Sequence, residues 1–241
     1  MININNITYF DTETTGIKYN QDRLVSVFCE NKKRGWYLNT LTNPEIEIPE
    51  GATNVHRITN EMVADKPLNK EVLNAIVNIF NDTCVISGYN ILRFDVPLIL
   101  NLCRENNIPI NYKNYQYIDV YLLLKIAVDE EDLAKMGSLK LSSVYKYVTG
   151  KELKNAHDAK ADVKATKVIL KWLLNNYEVE DCLMLNHEYI LGEPVSENYK
   201  FYTGKYPEKT VKDLLLTDKS YLSFLKSRNL LTFEQSINDL L

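Results

Sequence analysis

The sequence predicts an α/β fold: a mixed β-sheet flanked by helices, followed by a small, mainly helical C-terminal module. Three observations predict it. Strand-like runs crowd residues 4–40, and helical and strand-like segments then alternate. An acidic, loosely patterned stretch finally sets this unit apart from a tail with its own turn signals.

The elements follow in order. "INNITYF" (4–10), "RLVSVFCE" (23–30) and "RGWYLNT" (34–40) are rich in β-branched and aromatic residues with short turns between them, which predicts an antiparallel start. Residues 41–58 carry Pro44, Pro49 and Gly51 and read as loop. "NKEVLNAIVNIF" (69–80) has apolar residues at helical spacing, and "TCVISGYN" (83–90) reads as a short buried strand. "VPLILNLCREN" (96–106) is a helix with Pro97 in its first turn, where proline is tolerated. "QYIDVYLLLKIAV" (116–128) is strand-like and then helical. "SLKLSSVYKYVTG" (138–150) is a helix stopped by Gly150, and Asp158 to about Asn175 is the last helix of the unit. Residues 1–177 form the first unit, 178–198 an acidic linker and 199–241 the C-terminal module.

A chain of 241 residues, 45% hydrophobic and 25% charged, can bury one full-sized core plus an appendage. No apolar run is long enough for a bilayer, and residues 1–10 lack the pattern of a secretory signal, so the expected setting is the cytoplasm with no membrane partner. The four cysteines, Cys29, Cys84, Cys103 and Cys182, form no CxxC pair and read as reduced thiols. Net charge is −4, but residues 179–198 hold five acidic residues and no lysine or arginine. Residues 1–178 carry 21 basic against 22 acidic side chains, so charge does not exclude a nucleic-acid partner.

Three short stretches carry chemistry. In "YFDTETTG" (9–16), Asp11 and Glu13 stand two apart on a strand and share a face; acids at this spacing also occur on any solvated strand. In "GYNILRFDVPLI" (88–99), Asp95 just before a proline-led helix also reads as an N-cap. In "NAHDAKADVK" (155–164), His157 precedes Asp162 by five residues. On a continuous helix they would point about 140° apart. If Asp158 is the N-cap, the helix starts after His157, and the histidine can lean over a carboxylate one turn below. Four carboxylates in one site would repel unless cations neutralised them, and oxygen-only ligands suit Mg²⁺ or Mn²⁺. Two such ions clamp both oxygens of a phosphodiester under in-line attack, and a histidine near neutral pH can take the water's proton.

"DTETTG", "NILRFD" and "HDAKAD", in this order, resemble the three motifs of the DEDDh 3′–5′ exonucleases. This family includes epsilon proofreading subunits of bacterial replicative polymerases, exodeoxyribonuclease X and oligoribonuclease. The likeness covers about residues 5–175, and a histidine five before the last aspartate selects the "h" branch. The resemblance implies a ribonuclease H-like fold and two Mg²⁺ (or Mn²⁺) ions held by Asp11, Glu13, Asp95 and Asp162, with His157 as a mobile general base. Asp11 would bridge both ions, Glu13 and Asp162 would complete the nucleophile-side site, and Asp95 would assist directly or through water.

"ATNVHRITNEMVAD" (52–65) resembles the family segment whose histidine and following apolar residue pack beside the terminal bases, here His56 and Ile58, with Arg57 where glycine is common. Backbone amides around Thr14 and Thr15 would cradle the terminal nucleotide, and Asn90 would support the second motif. The tail is similar to the C-terminal module of exodeoxyribonuclease X-like proteins through Gly204, Lys205, Tyr206, Thr210, Asp218, Tyr221 and Leu222, with Lys219 where proline is common. It reads either as a helical packing module or as an accessory contact, in which Lys200, Lys205, Lys209 and Lys212 meet phosphates and Tyr202 or Tyr206 stacks on bases.

The expectation is a metal-dependent 3′–5′ exonuclease releasing nucleoside 5′-monophosphates from a single-stranded or frayed 3′ end, DNA before RNA. Two alternatives stand beside it. One is an exoribonuclease acting on short RNA; the other is a proofreading or binding subunit that works through a polymerase or other protein partner at its C-terminal module. The setting would be a bacterial or phage-infected cell.

Overall fold

The computed structural model describes residues 6–83, 85–112, 115–177, 179, 194–201, 206, 209–227 and 231–241. Cys84, Cys182, Tyr202, Gly204, Lys205 and most of the acidic linker lie outside the described residues. Cys29 and Cys103 are buried free thiols. No helix among the described residues is long and apolar enough to cross a membrane.

Five strands, β1 (Thr8–Thr14), β2 (Leu24–Asn31), β3 (Trp36–Leu41), β4 (Val85–Gly88) and β5 (Gln116–Asp119), form one sheet in the order β3-β2-β1-β4-β5. The first three pair antiparallel and the last three parallel, so the sheet is mixed as predicted. The helices in the same unit are α1 (Glu50–His56), α2 (Asn60–Val63), α3 (Asn69–Thr83), α4 (Asp95–Glu105), α5 (Val120–Ala127), α6 (Glu130–Met136), α7 (Leu141–Thr149) and α8 (Ala159–Asn176). Three more follow: α9 (Val211–Thr217), α10 (Lys219–Ser227) and α11 (Gln235–Asn238).

Side-chain alternation along the strands sorts the core into two layers. Phe10, Val27 and Cys29 face α3 and α4, where Leu73, Ile76, Phe80, Leu98 and Leu102 close over them. Tyr9 and Phe28 point the other way, toward Leu123, Val144, Val163, Ile169 and Leu173 of α5, α7 and α8. Glu30 on β2 and Lys167 on α8 form an ion pair, and the Lys167 ammonium lies 4.7 Å from the Tyr9 ring centroid, tying α8 across the sheet. Val195, Phe201, Val211, Leu214, Leu222, Phe233 and Ile237 belong to the same continuous apolar cluster as the α3–α4 layer.

Two departures from the predicted elements have physical causes. Residues 50–56 form a helix rather than loop, because Pro49 sits outside it at the N-cap, where a missing N–H costs nothing. Helix α6 forms because Asp129 caps it, accepting from the Asp132 N–H at 2.8 Å, and Gly137 ends it at φ 67°.

In the C-terminal segment the motif residues serve the fold. Thr210 and Asp213 form a reciprocal capping box at α9. The Tyr206 hydroxyl donates to Asp218 Oδ2 at 2.5 Å, and Asp218 Oδ1 accepts the Tyr221 N–H at 3.1 Å. The Tyr206 and Tyr221 rings meet edge-to-face 5.2 Å apart, and Leu222 is fully buried. Lys219 is the first residue of α10, the position that accepts proline without losing a helix bond.

Candidate active site

The site lies where β1 and β4 part. Their pairing ends at Tyr9↔Ser87, because Gly88 lets the chain pass against β1 before it turns away; a Cβ there would stand 2.6 Å from the Phe10 carbonyl oxygen. Beyond that point the β1 edge is open to the N-terminus of α4.

Asp11 and Glu13 project from β1 onto the same face as Tyr9, toward α8. Asp162 stands in the first turn of α8 and faces them. Carboxylate oxygens of Asp11, Glu13 and Asp162 all lie within 4.8 Å of one another. Thr12 points to the other layer, where its hydroxyl donates to Asp95 Oδ1 at 2.5 Å. Asp95 therefore reaches the site around the open edge of β1, beside the three-carboxylate group rather than inside it. Asp95 is the first residue of α4 rather than its expected cap: Phe94 holds the N-cap position without a side-chain bond, and the Asp95 carboxylate is turned to Thr12 instead.

Burial and mutual repulsion govern the electrostatics. Burial, then the Asp162 and Asp95 charges, push the Glu13 carboxyl up to about 8. Burial moves Asp95 to about 7 and Asp162 to about 6, against the donors that favour their ionised forms. Asp11 is raised well above the usual carboxylate range by burial and by Asp95, Asp162 and Glu13. Asp162 Oδ1 is buried with no hydrogen-bond partner. An orphaned oxygen amid clustered, repelling carboxylates is the donor set that a hard divalent cation would satisfy.

The loop before α8 takes the predicted form. Asp158 caps the helix, accepting from the Ala161 N–H at 2.8 Å, and His157 stays outside it with φ 67°. The His157 backbone N–H donates to Asp162 Oδ2 at 3.1 Å, while the imidazole is exposed and makes no hydrogen bond among the described residues.

The flanking residues divide. His56 is buried; its Nδ1 accepts the Ile58 N–H at 3.0 Å, and its Nε2 is left without a partner. Burial lowers the His56 pKa, against the Thr14 backbone, which raises it. Ile58 is buried in a small cluster with Val25, Ile48 and Val63, so its side chain is committed to packing. Arg57 adopts φ 65° as the C-cap of α1, the left-handed conformation for which glycine is suited. The Thr14 hydroxyl donates to the Gly16 carbonyl oxygen at 2.6 Å. The Thr15 amide corrects the expectation of a cradle: it donates to the Arg23 carbonyl oxygen at 3.0 Å and is committed within the protein. Asn90, at φ 60°, donates its backbone N–H to Asp119 Oδ1 at 3.0 Å, and its own Oδ1 is buried and unpartnered.

Two residues have no motif to mark them in the sequence. Thr12 offers nothing beyond its place between two acids. Asp119 ends β5 fully buried, accepting the N–H groups of Asn90, Leu92, Tyr121 and Leu122 and thereby fixing the loop that delivers Asp95. A lone aspartate before an apolar helix is its only signal.

Comparison with known proteins agrees with this geometry. The chain is 29% identical over 194 residues to a PolC-type DNA polymerase III of Clostridium perfringens, covering 75% of this chain and 12% of that protein. It is 30% identical over 122 residues to a DNA polymerase III subunit epsilon of Treponema pallidum, covering 48% and 54%. An E. coli exonuclease I–single-stranded DNA complex shares the fold at TM-score 0.59 and 23% identity, over 70% of this chain and 40% of that one. The chain thus spans only part of the length of each of these relatives. The exonuclease family (RNase T) matches residues 8–170, which hold all four carboxylates and both site histidines, and the chain belongs to that family.

Proposed function

We propose that the chain is a metal-dependent 3′–5′ exonuclease that hydrolyses single-stranded DNA, or a frayed 3′ end, to nucleoside 5′-monophosphates. One observation carries this reading: carboxylates from β1 and α8 converge around an unpartnered Asp162 oxygen, beside an exposed His157 and with Asp95 of α4 at their side. Asp11, Glu13 and Asp162, with Asp95 at their side, would hold two Mg²⁺ (or Mn²⁺) ions. Bound there, such ions neutralise phosphate charge, acidify water and stabilise the leaving oxygen.

The chain's own residues do the rest. His157 accepts the attacking water's proton on its imidazole, which is exposed on a loop anchored only by its main chain. The Thr12 hydroxyl holds Asp95, and Asp119 holds the loop before it. His56 faces the same cleft with a free Nε2 suited to donating to the terminal nucleotide. DNA is favoured because the relatives are named as DNA polymerase III proteins and an exonuclease I bound to single-stranded DNA. Residues 1–177 act as the catalytic domain and 199–241 as an accessory module that can meet a polymerase or other protein; of the expected linker 178–198, Val195 already packs and pairs with this module.

Two 5′-labelled single strands of one sequence, DNA and RNA, test this with wild type and Asp11→Ala in Mg²⁺, Mn²⁺ and EDTA. The expected result is a metal-dependent ladder shortening from the 3′ end, faster on DNA and absent in the variant. Full activity in Asp11→Ala would overturn the metal assignment, and faster RNA cleavage would overturn the substrate.

A further inference from the structure

A cavity of about 780 Å³ opens beside the loop that carries His157. Lys151, Lys154 and Asn155 of the loop, Tyr145 of α7, and Lys160 and Lys164 of α8 line it. Its two acidic groups are already engaged. Glu152 pairs with Lys146 at 2.5 Å, and Asp158 caps α8. Among the described residues Lys151, Lys154 and Lys164 have no ion-pair partner. Lys160 lies 5.5 Å from the centroid of the Tyr37 ring, which is 54% exposed on the edge strand β3.

Residues 140–171 hold eight lysines against three acidic residues, in a chain whose net charge is −4. Helical geometry sets Lys160 and Lys164 roughly 160–200° around α8 from Asp162. The cavity is therefore outside the catalytic cleft, on the side of α8 turned away from Asp162. A cluster of carboxylates repels a polyanion, so a strand that must end there needs a cationic hold nearby.

We propose that this cavity binds the phosphate backbone of a nucleic-acid strand beyond the nucleotides held at the carboxylates. The lysines neutralise phosphates, and Tyr37 offers a ring face at the outer end of the track. An arc of lysines with an exposed ring fits a repeating anion with stacking bases better than it fits an acidic peptide. The identity of the strand rests on the exonuclease reading above; the binding itself does not.

The test is equilibrium binding in EDTA, where no hydrolysis intervenes, with a labelled oligothymidylate of roughly 20 nucleotides across a range of salt concentrations. The Lys151→Gln/Lys154→Gln/Lys164→Gln variant is expected to lose affinity about tenfold at low salt. Its salt slope should fall by about 2, from three lost contacts on a single strand. The matching triple arginine variant should keep the wild-type slope, and circular dichroism should find all three proteins equally folded. Unchanged affinity and slope in the glutamine variant would overturn the proposal, as would equal loss in the arginine variant. So would tighter, lysine-dependent binding of labelled polyglutamate than of the oligonucleotide. Cleavage assays play no part, so failure here is separable from failure of the exonuclease reading.

Discussion

The backbone N–H of His157 donates to Asp162 Oδ2 at 3.1 Å, so the site histidine is tethered by its main chain and its ring is left exposed. The tether requires φ 67° at His157, a conformation that side-chain-bearing residues rarely adopt. The left-handed backbone thus keeps His157 off the helix, with its imidazole exposed.

His157→Ala keeps the donated amide and removes only the ring. Cleavage in Mg²⁺ should fall about 10²- to 10⁴-fold, the usual contribution of a positioned general base, with no loss of thermal stability. Asp162→Ala removes both a carboxylate and the acceptor of the tether. It should abolish cleavage and also expose the loop, read as faster amide exchange at His157.

The metal-free protein should lose stability as pH rises, the reverse of ordinary acid denaturation. Glu13, Asp95 and Asp162 have folded-state pKa values of about 8, about 7 and about 6, all above their unfolded values. The folded state therefore holds more protons than the unfolded state between about pH 4 and pH 8, and its stability is lost as pH climbs through that window. A tenfold difference in proton affinity between the two states corresponds to about 1.4 kcal/mol, and about 1 kcal/mol moves Tm by about 2–4 °C in a protein of this size. A thermal scan in EDTA should show Tm falling by about 10 °C or more from about pH 5 to about pH 8.5. Millimolar Mg²⁺ should recover most of it at the higher pH, and a Tm that rose with pH in EDTA would contradict the clustered-carboxylate electrostatics.

Much of this site is legible in local sequence. Alternation along a strand places Asp11 and Glu13 on one face, and an aspartate able to cap places the start of α8 after His157. What is not legible joins distant segments. Thr12 and Asp95 are 83 residues apart and meet only because β1 and β4 separate where they do. Asp119 caps α5 with one set of amides and holds the Asn90–Leu92 loop with another, and only the first role has a local signature. Helix α1 is obscured by Pro49 and Gly51, which announce a turn as readily as a helix start.

Asp119→Ala leaves the backbone N–H groups of Asn90 and Leu92 without acceptors beneath the second motif. Unpaired buried donors cost about 1–3 kcal/mol each, so a loss of about 3 kcal/mol is expected in urea unfolding. The same change should reduce cleavage although Asp119 touches no reacting group, because the loop carrying Asp95 loses its anchor.

Arg57 holds φ 65° at the end of α1 with a side chain for which no ion pair is found among the described residues. A residue with a Cβ is disfavoured in this left-handed conformation, and glycine takes it without strain. Arg57→Gly should raise stability by roughly 0.5–1 kcal/mol in chemical denaturation, the increased freedom of the unfolded glycine offsetting part of the relief. Arg57→Val, β-branched at the same φ, should lower it.

The C-terminal motif offers two opposite tests. Thr210→Ala breaks a capping box in which the Thr210 side chain accepts the Asp213 N–H at 3.1 Å and the Asp213 side chain accepts the Thr210 N–H at 2.8 Å. The expected cost is about 1 kcal/mol. Lys219→Pro should cost nothing or stabilise by about 0.5 kcal/mol. The residue opens α10, its N–H makes no backbone hydrogen bond across the fold, and Asp218 before it is already at φ −152° and ψ 73°, outside the helical region that a following proline disfavours. Urea unfolding followed by tyrosine fluorescence reads both. A destabilised Lys219→Pro would mean that α10 begins later than Lys219 and that the Asp218–Tyr221 bond does not set its start.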